Sequence, residues 1–165
     1  MRTKRRLLRG FTLIELIVTL MIIGILAVAV LPRFAERSDF EAHGFANETL
    51  ALLRYAQKAA IGQHRTVCVH FSATQAWLTI RSASGDIVCG AHASPGVAAP
   101  AGEVLLAGPG GGTPFTITGR STTSYAAVPA AMYFTADGSP SAGQVIGITG
   151  ADSTVIVEAT TGYVH

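Results

Sequence analysis

The chain has 165 residues, of which 49% are apolar and only 13% charged, enough for one domain with a modest core and an appendage. Its formal charge of +2 is unevenly placed: Arg2, Lys4, Arg5, Arg6 and Arg9 precede Gly10, and from Arg33 onward seven Lys/Arg face nine Asp/Glu. The part expected to fold is therefore mildly acidic, which excludes a broad phosphate-binding face.

After the basic leader, residues 11–31 carry only Thr12, Glu15 and Thr19 as polar side chains. As a helix, a run of that length reaches roughly 30 Å, the thickness of a bilayer core. Basic residues before it and no comparable cluster behind it predict a cytoplasmic N-terminus and an exported remainder. A secretory signal peptide cut near Ala27-Val28-Ala29 and a plain single-pass anchor are the alternatives. Neither accounts for Glu15, because an acid inside a membrane helix costs about 2.5 to 3.5 kcal/mol at its centre and calls for a partner.

The stretch Arg9-Gly10-Phe11-Thr12-Leu13-Ile14-Glu15, with the leader before it and the apolar run behind it, resembles the processing signal of type IV pilins and of the pseudopilins of type II secretion. That resemblance implies that a prepilin peptidase cuts between Gly10 and Phe11 and methylates the new N-terminus of Phe11. It also supplies a partner for Glu15: the α-ammonium of Phe11 on a neighbouring subunit. The attraction between those charges is large in low dielectric, and either charge left alone there is expensive. Glu15 is then a register key for assembly.

Gly24 and Pro32 mark a weak stretch of helix, since proline removes a backbone donor and an interior glycine lowers helix propensity by about 1 kcal/mol. Related pilins suggest that the stretch between them melts and extends within a fibre; a mere kink at Pro32 is the alternative. Beyond it, Ala42, Phe45, Ala46, Thr49, Leu52, Leu53, Ala56 and Ala60 recur at three- and four-residue steps. They predict an amphipathic helix to about Gly62, with Arg37, Asp39, Glu41, Glu48, Arg54 and Lys58 on a solvated side. The expected organisation is a removed leader 1–10, a transmembrane helix 11–31, an amphipathic helix 32–62 and a β-rich exported domain 63–165 that forms one globule with 40–62.

From Thr66 the period turns strand-like. Seven short runs, near residues 67–71, 77–80, 104–106, 115–117, 132–134, 145–148 and 154–157, are separated by Gly, Pro, Ser and Asp. The expected fold class is α+β, a type IV pilin-like arrangement with a long N-terminal kinked helix packed on an antiparallel β-sheet. Ser84-Gly85-Asp86 and Asp137-Gly138-Ser139-Pro140 read as turns, and residues 91–114 as a long loop holding one short strand. Outside the cytoplasm, Cys68 and Cys89 favour a disulfide worth roughly 3 kcal/mol, with two small buried thiols as the alternative.

Chemistry is scarce. Histidines 43, 64, 70, 92 and 165 fall in no zinc-protease pattern, the cysteines lack finger-like spacing, and Gly108-Pro109-Gly110-Gly111-Gly112 lacks the Lys-Ser/Thr and helix of a phosphate loop. No catalytic residue, cofactor or metal is expected. Leu53-Arg54-Tyr55-Ala56-Gln57-Lys58-Ala59-Ala60 leading into Arg65-Thr66-Val67-Cys68-Val69 is similar to the minor pilins of the FimT and GspH group, including those of mannose-sensitive haemagglutinin pili. Phe134-Thr135-Ala136-Asp137-Gly138 and Thr161-Gly162-Tyr163-Val164 are similar more loosely.

The likeness implies a low-abundance subunit that initiates or caps a filament, either a type IV pilus or a type II secretion pseudopilus. Its implied partners are the prepilin peptidase, other minor and major pilins or pseudopilins, and the bacterial inner membrane, crossed once with the C-terminal domain in the periplasm. Some members of the group bind DNA in uptake, which makes a DNA-binding minor pilin the rival reading. No Lys or Arg follows Arg120, however, and Tyr163 stands where such members carry Arg, so nucleic acid is not the expected partner.

Overall fold

A computed structural model describes residues 11–30, 32–120 and 123–165, with side chains outside the description at 28–37. Two compact units divide at residues 37 and 38. In the first, helix α1 spans Leu13–Val30. Thr12 caps it: its hydroxyl accepts the Glu15 backbone N–H at 3.3 Å and its carbonyl accepts that of Leu16 at 3.2 Å. Thr12 and Glu15 thus occupy the Ncap and N3 positions, and Glu15 sits in the first turn, where the helix dipole favours an anion. Every side chain from Phe11 to Ala27 is exposed. No helix among the described residues is long and apolar enough to cross a membrane; the expected span 11–31 runs on into residues outside the full description.

Helix α2 spans Pro32–Gln63. Most of α2 belongs to the second unit. Ala42, Phe45, Ala46, Thr49, Leu52, Leu53, Ala56 and Ala60 are all buried, so the periodic positions do form its core stripe. The helix ends at Gln63, one residue beyond Gly62. His64 takes the left-handed conformation (φ 50°), its N–H bonds the Ile61 carbonyl, and the Arg65 N–H reaches the Ala60 carbonyl, the pair of bonds that closes a Schellman motif. A side chain in that conformation is disfavoured by about 1 kcal/mol relative to glycine. His64→Gly should therefore raise the midpoint of thermal unfolding; an unchanged or lower midpoint would contradict the motif.

The sheet is antiparallel throughout: β1 (Val67–Phe71) pairs β2 (Gln75–Arg81) and β5 (Met132–Phe134), while β2 also pairs β3 (Glu103–Leu105) and β4 (Thr116–Thr118). A separate pair, β6 (Gln144–Ile146) and β7 (Val155–Val157), contributes Ile146, Val155 and Val157 to the same core. Each strand falls on one of the seven expected runs, and the α+β class holds. Alternation sends Val67, Val69, Ala76, Leu78 and Ile80 toward the α2 stripe. Cys68, His70, Trp77, Thr79 and Arg81 point the other way, and they are buried too.

On the polar side of α2, Asp39, Glu48, Arg54 and Lys58 are exposed. Two side chains there also bond the domain: Arg54 Nε donates to the Val164 carbonyl at 3.0 Å, and Gln57 Nε2 donates to the carbonyls of Gly138 and Thr161. These bonds fasten the C-terminal turns to the helix. Glycine is needed where they meet, because Gly162 has φ 67° and a Cβ there would lie 2.5 Å from the Gly138 carbonyl oxygen.

Candidate functional site

Two regions carry the polar chemistry. The first is the start of α1. Gly10 lies outside the described residues. Phe11 stands exposed just before the helix, Glu15 is exposed on its first turn, and a Cβ on Gly24 would meet nothing within 4 Å. Pro32 begins α2, and its side chain lies outside the description.

The second region is the outer face of the main sheet, covered by the segment between β2 and β3. Cys89 on that segment is bonded to Cys68 on β1, with the Cα atoms 5.9 Å apart. Beneath the cover, Glu103 has a fully buried carboxylate onto which donors converge from β2 and from the covering segment. The Thr79 hydroxyl donates to Oε2, the Gly90 amide donates to Oε1 at 2.6 Å, and an Arg81 guanidinium nitrogen stands 3.7 Å from Oε1. Arg81 also pairs with Asp86 and donates to the Ala101 carbonyl, with its Nε left buried and unpartnered among the described residues.

A hydroxyl has one proton, and Thr79 gives it to the carboxylate, so Thr79 must accept from His70 Nε2, 2.8 Å away. His70 Nε2 thereby carries a proton. Burial pushes its pKa below the usual 6.5; the Glu103 charge pulls upward and His92 adds to the lowering. A histidine depressed in the folded state gives its full stabilisation above pH 6.5 and loses it as the pH falls toward the folded value. Thermal stability should decline on acidification below that point, and His70→Gln should flatten the decline. A decline of equal steepness in the variant would remove His70 as its source.

Around this chain of bonds lie aromatic rings. His70 stacks on Trp77 at 5.8 Å, His92 meets His70 edge-on at 5.2 Å, and the Trp77 indole N–H donates to His92 Nδ1 at 2.9 Å. The sulfurs of Cys68 and Cys89 and a Glu103 oxygen lie within 4.8 Å of one another, a donor set suited to a thiophilic cation on proximity alone. The two sulfurs are bonded to each other, so neither is the thiolate a metal requires. His70, Thr79 and Glu103 are all buried, and the Thr79 proton is directed to the carboxylate, an arrangement that holds structure together and activates no nucleophile. Sequence reasoning singled out neither Glu103 nor Arg81. Their cross-strand register was the missing signal.

At the C-terminus Tyr163 stacks on His165 at 5.3 Å, and His165 Nε2 lies 3.3 Å from the Glu158 carboxylate. A carboxylate in that place opposes phosphate contact.

An amphipathic helix packed on an antiparallel sheet, preceded by an exposed apolar helix capped at Thr12, defines a pilin-like subunit. Residues 46–161 match the family described as Type II transport protein GspH, and residues 5–31 match the prokaryotic N-terminal methylation motif. The chain belongs to the GspH family and is a minor pilin or pseudopilin-type subunit of a type IV filament. Among solved structures, the type IV minor pilin FimU of Pseudomonas aeruginosa PAO1 is similar, with a TM-score of 0.49 at 18% identity over 80% of this chain and 90% of that one. No curated protein matches the chain.

Proposed function

We propose that the chain is made as a prepilin, cut between Gly10 and Phe11 and methylated on Phe11, and that the mature subunit helps to initiate or cap a type IV filament. Residues 11–31 hold it in the bacterial inner membrane before assembly, with the leader in the cytoplasm and the sheet domain in the periplasm. The same residues then pack in the filament, as either a pilus or a type II secretion pseudopilus. Its partners are the prepilin peptidase and other pilins or pseudopilins.

The observation that carries this reading is the place where α1 begins. The methylation motif covers residues 5–31, and the helix starts at Leu13 with Thr12 as its cap, so a cut after Gly10 leaves the cap and the first turn intact. Removing the leader would set a free ammonium two residues before a helix whose fully exposed apolar surface needs a covering. Glu15, exposed on the first turn, can meet the ammonium of a neighbouring Phe11 when helices pack side by side.

Glu15→Val is expected to be cleaved normally, since it leaves Gly10 and Phe11 in place, yet to be recovered in sheared or cross-linked filaments at less than about a tenth of the parent's level, a loss of about 1.4 kcal/mol or more. Mass spectrometry of the mature N-terminus checks the first half and quantitative immunoblotting the second. A mature chain starting elsewhere than Phe11 would end the proposal, and normal incorporation of the variant would end the role given to Glu15.

A further inference from the structure

We infer that residues 86–100 form an acid-released strap: proton uptake by His92 breaks its bond to Trp77 and frees the far half, residues 91–99, from the outer face of the sheet, while the Cys68–Cys89 disulfide keeps the near half attached.

The inference follows from which atoms can donate. An indole nitrogen is a donor only, so His92 Nδ1, which receives the Trp77 N–H at 2.9 Å, must present a lone pair. The ring proton of His92 therefore sits on Nε2, which faces the Val97 carbonyl at 3.2 Å within the strap. Both nitrogens of a neutral imidazole are thus committed. An imidazolium carries a proton on each nitrogen, and Nδ1–H would then confront the Trp77 N–H, donor against donor. The bond is lost outright. Trp77 is fully buried, so its N–H can reach water in place of His92 only if the cover moves away.

The titratable and charged groups on the surrounding elements offer the new cation no direct partner. On β1 stands His70, its ring 5.2 Å away; on β2 stands Arg81, already a cation. The Glu103 carboxylate on β3 is taken up by Thr79, Gly90 and Arg81, and Asp86 in the strap is held by Arg81. Tyr133 on β5 lies opposite Cys68, and Cys89 is in the disulfide. Among the described residues, His92 makes no hydrogen bond or ion pair with a carboxylate, and Trp77–His92 is the hydrogen bond tying the stretch 91–99 to the sheet. The near end of the strap is secured differently, by the disulfide and by Gly90 on Glu103, neither of which depends on His92. Acid should therefore free the far half and leave the near half anchored.

Trp77 is the one tryptophan of the chain and reports on its own cover. In the full chain held in detergent micelles, the acrylamide quenching constant of tryptophan fluorescence should rise several-fold as the pH is lowered from about 8 to about 5. The single indole N–H cross-peak of the nitrogen-15-labelled chain should shift over the same interval. His92→Asn, whose side-chain oxygen can accept from the indole without titrating, should abolish both changes, and His70→Gln should retain them. A quenching constant or an indole resonance that stays constant in the parent chain overturns the inference without any variant. So does a transition that survives in His92→Asn, or one that disappears only in His70→Gln.

Discussion

Glu103→Ala is expected to cost the sheet domain about 3 kcal/mol in urea unfolding of the full chain, one of the two largest effects of any single site described above. The carboxylate is completely buried and receives the Thr79 hydroxyl, the Gly90 amide and the Arg81 guanidinium. Deleting it leaves two buried donors without an acceptor, and a lost partner costs the full desolvation of each group left behind. Arg81 retains Asp86, which keeps the effect at the lower end of what breaking a buried ion pair produces. Glu103→Gln separates charge from hydrogen bonding: its oxygen can still accept from Thr79 or Gly90, so it should lose less than the alanine variant. Equal losses would mean that the charge carries the whole effect, and a loss below about 1 kcal/mol in Glu103→Ala would show that the cluster contributes little.

Replacing both cysteines by alanine should cost roughly 3 kcal/mol, the chain-entropy expectation for a loop whose ends are 21 residues apart. The same change should expose the covering segment to proteolysis. That segment contains no Lys or Arg between Arg81 and Arg120, so thermolysin, which cuts beside large apolar residues, is the suitable probe. Ile87, Val88 and Val97 are exposed and are the expected cut sites. The disulfide and the Glu103 cluster grip the same segment at neighbouring points, Cys89 and Gly90, so the two losses should not add. A triple variant whose loss equals the sum of the two would show that each grips independently.

These effects all belong to a face of the sheet that is hard to read in the sequence. The alternation in β1 and β2 is plain, with Val67, Val69, Ala76, Leu78 and Ile80 on one side. The same alternation puts Cys68, His70, Thr79 and Arg81 opposite them, a set that reads as a half-solvated surface. What buries it is a segment of Ala, Gly, Pro and Ser whose composition states only that it is irregular. Its destination depends on a bond between Cys68 and Cys89 and on Glu103 lying beside Arg81, and cross-strand register is not a local property. The C-terminal turns follow the same logic: Arg54 and Gln57 look like surface positions of a helix until carbonyls from more than eighty residues away arrive to meet them.

The sequence alone was enough for whatever a linear reader or a nearest neighbour decides. The basic residues before Gly10, the Thr12 cap with Glu15 three residues on, the buried stripe of α2 and the seven strand runs are set by adjacent residues and by the periods of helix and strand. Only the tertiary structure decided which strands are neighbours, as when β5 pairs β1 across more than sixty residues, and which polar groups leave water. Those outcomes depend on contacts between distant segments, whose desolvation is tolerable only once their partners have arrived, and no window of sequence contains both.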